Sequence, residues 1–412
     1  MRGVSLRFLT IFFAIAIPLL ASGQMRDRDP DLDGAKKLHE DMQQSNFHYG
    51  SFYLWSRFRI SDAGFSDAGS APTGDLADGL SLSIEAPQRL FFAPRKKTIF
   101  TFDFVPGYSF FNSGDDGQIN YSMRADAHFL WNHLYLDVYG ARADHLRSHV
   151  ADINRLATVR EDEVGVSAEV KYSSWTSGIV SVRNRDSSYP DDRHQPDLST
   201  GFNPIQLLDR NERNARVAID HKTFPLTSLF VSAEVSEYSF DLDPSKDSRR
   251  TGYGGGFSYD SGRTGLRVEA GPLKLSFDDP AQRSYTGLGA SFNVSRANGR
   301  WTYTAGGNHD LGFSIFANNN YYVSDRVYGG ISYIATRRLS LRTNASWEQD
   351  EYDVEVAGND RRDTILFTSV GFNYALRRTQ AGLDVGWYDR ESTFGGETDS
   401  GIRYVLHLSF VP

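Results

Sequence analysis

Short segments in which apolar and polar residues alternate recur from about His48 to Val411, and we count eighteen of them. In the last segment, one set of alternate residues is apolar: Ile402, Tyr404, Leu406, Leu408 and Phe410. The intervening set is mostly polar: Arg403, Val405, His407 and Ser409. Because successive side chains of a β-strand point to opposite faces, each segment predicts a strand with one apolar and one polar face. The predicted strands include His48 to Ser61 at the start of the barrel, Gln118 to Leu130, Leu134 to Ser148 and Thr379 to Ser392.

The connections between the segments alternate between short and long. Trp131-Asn132, Ser261-Gly262 and Arg377-Arg378 are typical of the short ones, whereas Asp62 to Asp75 and Ser188 to Asn211 are long. This rhythm is typical of a transmembrane antiparallel up-and-down β-barrel, which has short turns at one end and long loops at the other. A soluble β-sandwich, the competing all-β fold, has no reason to keep it. The even strand number places both termini on one side, so we expect the short turns to be periplasmic and the long loops extracellular.

The sequence predicts three parts. Residues 1–23 are predicted to be a cleaved signal peptide. Arg2 and Arg7 come before an apolar stretch, and small residues follow that stretch. Residues 24–46 form a polar periplasmic leader in which Asp31 to Gln44 could make a short amphipathic helix. Residues 47–412 form the barrel. We therefore expect the chain to lie in the outer membrane of a Gram-negative bacterium, in contact with its lipid and assembled by the β-barrel assembly machinery.

The polar face of each strand must enclose the interior, because charged side chains on the lipid face of a barrel are costly. Charges of both signs occur on it in nearly equal number, together with tyrosines. Such a face suits a hydroxyl-rich solute such as a sugar, although opposed charges could instead pair with one another and stiffen the wall. The residues predicted to line the pore are Arg57, Asp103, Arg124, Asp126, Asp137, Glu169, Lys171, Arg216, Asp220, Glu234, Arg267, Glu269, Arg342, Glu348, Asp384, Tyr388, Arg390 and Arg403.

Several function classes are disfavoured. The formal net charge of −8 makes nucleic acid an improbable partner. The ten histidines are scattered and form no metal-ligand or acid–base pattern, so we expect no enzyme activity, no metal and no cofactor. The chain contains no cysteine and therefore needs no disulfide.

Three motifs follow one another in the last part of the chain: Trp347-Glu348-Gln349-Asp350-Glu351-Tyr352, then Arg361-Arg362-Asp363-Thr364, and then Tyr388-Asp389-Arg390-Glu391-Ser392. With these motifs the C-terminal third resembles the putative β-barrel porins of type 2, which are found in bacterial exopolysaccharide gene clusters. The resemblance implies a passive outer-membrane conduit for a secreted polysaccharide. It also implies a periplasmic polysaccharide-export protein as a partner.

The sequence leaves three functions open, and an outer-membrane hydrolase is a fourth, less favoured interpretation. The first is a pore that exports an exopolysaccharide. The second is a general or oligosaccharide-uptake porin, which would fold one long loop inward, and the loop from Ser188 to Asn211 is the candidate. The third is a barrel that encloses a multihaem cytochrome for electron transfer, in which case the interior would hold a protein.

Overall fold

The structure is a computed structural model and describes residues 33–66, 79–111, 117–148, 156–190, 204–315, 320–356, 359–393 and 398–411. The predicted signal peptide and the first part of the predicted leader lie outside these ranges. A search of the described residues finds no helix with the length and apolar character needed to span a bilayer.

The described residues form one α-helix, two short 3-10 helices (Pro204–Leu208 and Pro244–Lys246) and a single sheet. The helix and the strand segments are α1 (Asp33–Gln43), β1 (Phe47–Tyr49), β2 (Phe52–Ser56), β3 (Phe58–Ser66), β4 (Gly79–Glu85), β5 (Gln88–Arg95), β6 (Thr98–Phe111), β7 (Gln118–Leu130), β8 (Leu134–Ser148), β9 (Leu156–Lys171), β10 (Thr176–Ser188), β11 (Arg210–Phe224), β12 (Thr227–Phe240), β13 (Ser248–Asp260), β14 (Thr264–Phe277), β15 (Tyr285–Asn298), β16 (Trp301–Phe313), β17 (Tyr321–Ile334), β18 (Leu339–Val356), β19 (Asn359–Leu376), β20 (Thr379–Ser392) and β21 (Thr398–Phe410).

These segments build a closed antiparallel barrel of eighteen strands. The segments β2 and β3 are one strand interrupted at Arg57, and β4 and β5 are one strand interrupted at Ala86-Pro87. The segment β1 is a short hairpin partner of β2. The last strand, β21, pairs with β3 from Phe410 opposite Phe58 to Arg403 opposite Ser66, and this pairing closes the barrel. Closure leaves no long unpaired edge, which a barrel in lipid requires.

The outer face of the barrel is an apolar belt. Outward side chains such as Val164, Val231 and Val370 are 59%, 59% and 65% exposed. In β12 the outward residues from Leu229 to Val235 are apolar and are followed by Glu237. Four outward residues about 6.7 Å apart span roughly 20 Å along the strand, or roughly 15 Å along the membrane normal at a tilt of about 40°, and this fits within the apolar band of about 25 Å of an outer-membrane barrel. The predicted outward set in β21 lies on this face.

The predicted strand positions agree closely with the observed ones. Gln118 to Leu130, Leu134 to Ser148 and Thr379 to Ser392 match to the residue. The main difference is at the start of the barrel, where one strand was predicted from His48 to Ser61. The structure instead forms the β1–β2 hairpin, and its strand continues through β3 to Ser66.

A pair of matched substitutions tests the assignment of the two faces. Val385 on β20 points outward and Val405 on β21 points inward at a neighbouring height. We expect Val385→Arg to block membrane insertion, because an arginine on the lipid face costs about 2–4 kcal/mol at the bilayer midplane. Val405→Arg should insert normally. Heat-dependent electrophoretic mobility and outer-membrane fractionation measure both; equal insertion of the two variants would contradict the assignment.

Candidate functional site

The strand register places all eighteen predicted pore-lining residues on the interior face. For example, Asp103 pairs in register with Arg124, and Arg216 pairs with Glu234. Four of the eighteen are buried in the wall: Asp126, Asp137, Tyr388 and Arg390, with exposed fractions of 7%, 9%, 5% and 4%. The rest are partly or fully exposed on that face. That they line a path for a solute is a proposal.

Most interior charges pair with a charge of opposite sign. Arg124 Nε lies 2.7 Å from Asp126 Oδ1, and Arg216 Nη2 lies 3.3 Å from Glu269 Oε1. Arg342 pairs with Asp384 from two strands away. Further interior pairs are Arg59–Glu85, Arg89–Asp103, Arg183–Glu212, Arg185–Glu163, Arg250–Asp310 and Arg326–Glu348. The pairing that was one alternative at the sequence level is therefore widespread in the wall.

Several members of these pairs were missed in the sequence prediction. Arg89 lies in β5, beyond the interruption at Ala86-Pro87, where the simple alternation is hard to follow. Arg250 and Asp310 lie near the loop end and belong to strands that are not neighbours. The period-two pattern of β5 and β13 was the available signal, because both arginines occupy inward positions in it.

Near the loop end, Arg390 belongs to a buried network. Asp363 is fully buried, and its Oδ2 accepts hydrogen bonds from Arg361 Nη2 at 2.7 Å and from Arg390 Nη2 at 2.8 Å. Ser392 Oγ donates to Oδ1 of the same carboxylate at 2.5 Å. Two guanidinium groups thus compensate one buried carboxylate, and the network ties β19 to β20.

Helix α1 lies inside the barrel at the short-turn end. Its residues Ala35 and Leu38 are 0% and 8% exposed and form one apolar cluster with Phe91, Ile99 and Leu130 of the interior wall. This places the helical part of the predicted leader against strands β5 to β7. The helix therefore narrows the interior at that end.

Polar contacts fix both ends of α1. The backbone N–H groups of Asp33 and Gly34 donate to the Glu169 carboxylate at 3.2 and 3.1 Å, so an anion of the wall caps the helix N-terminus. At the other end, Asp41 Oδ2 lies 3.3 Å from Arg89 Nη1. A Cβ atom on Gly34 would lie 2.6 Å from Tyr135 Cε1, so glycine allows this close approach. Glu169 is thus occupied with holding the helix.

One buried group beside α1 has metal-ligand spacing. Ligand atoms of Asp126, His128 and Asp137 lie within 4.8 Å of one another. Protein groups already contact them: Arg124 contacts both carboxylates, Thr101 Oγ1 lies 3.1 Å from His128 Nε2, and Tyr135 lies beside the other ring nitrogen. The arrangement is a polar network that a metal ion would have to disrupt, so we assign no metal to it.

An apolar cluster reaches across the loop end. The loop between β10 and β11 contributes Ile205 and Leu208, which are 4% and 1% exposed. They pack with Val159 of β9, Phe240 of β12 and Ile315 after β16. Because β9 and β16 are well separated around the barrel, the described part of the β10–β11 loop, residues 204–208, lies inward over the mouth.

Asp209 holds the base of this loop. Its Oδ1 accepts a hydrogen bond from the Tyr189 backbone N–H at 2.7 Å, which joins the two ends of the loop. Burial raises the pKa of Asp209 to about 6, and the nearby Asp241 adds to this effect. The packed loop therefore favours the protonated carboxyl.

Between α1 and the wall lies a cavity of about 760 Å³. Its lining includes Asp41 and Gln44 from the helix segment, and Trp55, Arg57 and Arg89 from the wall.

A family model described as "Putative beta-barrel porin 2" matches residues 160–407, well over half of the chain. A search of curated proteins finds no match.

Solved barrels share the fold at low sequence identity. The outer-membrane protein OpdK of Pseudomonas aeruginosa, solved with vanillate, is 12% identical with a TM-score of 0.52, and the match covers 86% of this chain and 97% of that one. The FrpB iron transporter of Neisseria meningitidis is 10% identical with a TM-score of 0.51, over 86% of this chain and 63% of that one. A bacterial polysaccharide outer-membrane secretin is 11% identical over 87% and 98% of the chains, but its TM-score of 0.39 is too low to support an argument.

Release of α1 should widen the interior. Leu38→Asp removes the burial of a leucine, worth roughly 1.5–3 kcal/mol, and places a charge among apolar side chains. We expect α1 to leave the wall and the single-channel conductance in planar bilayers to rise. Lys37→Asp changes an exposed neighbour and should leave the conductance unchanged. Identical conductance of Leu38→Asp and the wild type would show that α1 does not restrict the interior.

The β10–β11 loop should loosen as the pH rises. Because the pKa of Asp209 is raised to about 6 in the packed loop, this state holds more protons than a detached loop. Its relative stability is highest below the ordinary pKa of Asp and is lost as the pH rises to about 6. Hydrogen exchange of the Tyr189 amide, corrected for its intrinsic pH dependence, should show less protection above pH 6. Asp209→Asn should remove this pH dependence; a wild-type protection that does not change across this range would refute the account.

Proposed function

The chain belongs to the family described as "Putative beta-barrel porin 2", and from this premise we propose that it is a passive conduit that exports an exopolysaccharide. At the coarser level the protein is an outer-membrane porin-like barrel, as its family and its fold establish together. The solute and the direction of transport belong to the proposal.

The observation that carries the proposal is the mixed, paired charge of the interior wall. Arginine–carboxylate pairs occur from β3–β4 round to β18–β20, as in Arg59–Glu85 and Arg342–Asp384. A pore built to select ions would place charges of one sign at its narrowest point. Paired guanidinium and carboxylate groups instead offer hydrogen-bond donors and acceptors together, which suits the hydroxyl groups of a sugar chain.

The position of α1 is consistent with a periplasmic partner. The short-turn end, which we assign to the periplasm, holds the helix, whose residues Lys36, Lys37 and Glu40 are exposed. A periplasmic polysaccharide-export protein could contact this exposed face and shift the helix from the wall. We also propose that the apolar belt contacts outer-membrane lipid and that the assembly machinery inserts the barrel.

Uptake is the second candidate function, and one observation favours it. The β10–β11 loop folds inward through Ile205 and Leu208, which is the behaviour expected of an uptake porin. OpdK, a barrel of similar fold, has been solved with vanillate, so a small-solute porin is compatible with this architecture. Among the described residues nothing favours a cytochrome sheath.

Transport in cells and in bilayers tests the proposal. Deletion of the gene should leave exopolysaccharide in the periplasm and remove it from the medium, and re-expression should restore secretion. In planar bilayers the purified full-length protein should conduct ions, and neutral oligosaccharides should interrupt the current as they enter. Normal secretion together with impaired growth on oligosaccharides would establish uptake instead. A protein without conductance, also after Leu38→Asp, would remove both candidates.

A further inference from the structure

Trp55 is the one tryptophan of this chain on the interior face, and all six tryptophans lie in the described residues. It pairs in register with Arg89 and lines the cavity beside α1. The others lie on the outer face or in short turns, where tryptophan commonly marks the membrane interface: Trp131, Trp175, Trp301, Trp347 and Trp387. Interface anchoring therefore explains five tryptophans and leaves Trp55 without that role.

Arg57 stands beside Trp55 on the same face, two residues further along the strand. Its guanidinium carbon lies 5.1 Å from the centre of the Trp55 ring, within cation–π distance. Within the part of the chain that the structure describes, no carboxylate lies within ion-pair distance of Arg57, and its Nε has no hydrogen-bond partner. The neighbouring arginines of the cavity differ, because each has a carboxylate partner: Arg59, Arg89, Arg124 and Arg185. Arg57 thus presents a positioned but uncompensated positive charge.

The strand assignment is interrupted at this point, but the register is the same on both sides, with Ser56 opposite Gln88 and Arg59 opposite Glu85, so Trp55 and Arg57 keep the interior face. The strand breaks at Arg57, whose backbone N–H donates to Pro87 O at 3.0 Å across the second break. Gln44 lines the same cavity and carries an amide donor and acceptor.

We propose that Trp55 and Arg57 form a binding station for an acidic sugar residue of the transported chain, a uronate. The sugar's apolar face stacks on Trp55, its carboxylate pairs with the fork of Arg57, and its hydroxyl groups bond the Gln44 amide. This inference rests on the proposed function and specifies its solute as a carboxylated polysaccharide. The station lies between α1 and the wall, so the same sugar residues pass beside the helix.

Current recordings with two matched glycans test the station. The probes are tetragalacturonate and the neutral maltotetraose, applied to the full-length protein in about 0.15 M salt, where charges still interact over about 8 Å. We expect longer blocks from tetragalacturonate. Arg57→Gln should shorten those blocks at least about tenfold, as expected for loss of a charge-assisted contact, and should leave maltotetraose blocks unchanged. Trp55→Ala should shorten the blocks of both glycans.

A control variant isolates the interior charge. Arg362 lies on the outer face and pairs with Glu351 at 2.7 Å. Arg362→Gln therefore removes one arginine without changing the station. The block times that both glycans cause in this variant should equal those in the wild type. Heat-dependent mobility verifies folding of every variant. If Arg57→Gln does not fold, the block times of the wild type are measured at two salt concentrations instead. The longer blocks by the uronate should shorten at about 1 M salt, where charges are screened beyond about 3 Å.

The outcomes separate the inference from the proposed function. Equal block times for the two glycans on the wild type, or unchanged uronate blocks in folded Arg57→Gln, would overturn the station while leaving the conduit intact. An equal preference for sulfated maltotetraose would overturn the carboxylate assignment. A conducting pore that neither glycan enters would overturn the proposed function itself.

Discussion

The whole structure depends on the hydrogen bonds between backbone N–H and C=O groups, because the lipid bilayer offers these groups no other partner. Inside lipid every N–H and C=O group must find a partner in the chain, and a sheet achieves this only by closing on itself. The contact of β21 with β3 completes the ladder. Once the sheet is closed, alternate side chains have only two destinations, the bilayer or the enclosed interior. The apolar belt and the charged interior are two consequences of the same closure.

The interior charges follow from this division. Charged groups, which are costly in lipid, lie on the interior face, and most of them pair with a charge on another strand, as in Arg89–Asp103. The arginines differ in whether a carboxylate compensates their charge. Arg390 is locked in a buried network, whereas Arg57 rests on Trp55 with its charge uncompensated. The interior is further shaped by two inserted elements, α1 at the short-turn end and the β10–β11 loop at the other.

The sequence predicts the wall well and its contents poorly, for a physical reason. Strand position and facing depend on a local period of two, so β7, β8 and β20 match to the residue. The docking of α1 depends on tertiary contacts of Leu38 with Phe91 and Leu130, which lie far apart in the chain. The predicted first strand was displaced because the chain turns at Gly50, whose φ is 59°, to form the β1–β2 hairpin, and because β3 continues to Ser66. Likewise, the sequence identifies Arg57 and Arg390 as inward residues, but only the structure shows which one has an acidic partner.

A cysteine accessibility scan along β20 tests the central claim most directly. The chain contains no cysteine, so single substitutions from Gln380 to Asp389 introduce one reactive thiol at a time. With the protein in lipid, a charged, membrane-impermeant thiol reagent should modify the even positions Gln380 and Asp384, which are accessible on the interior face, and reduce the current, whereas the odd positions between Ala381 and Trp387 should stay protected. Equal reaction at odd and even positions, or reaction confined to the odd ones, would contradict an interior that holds water.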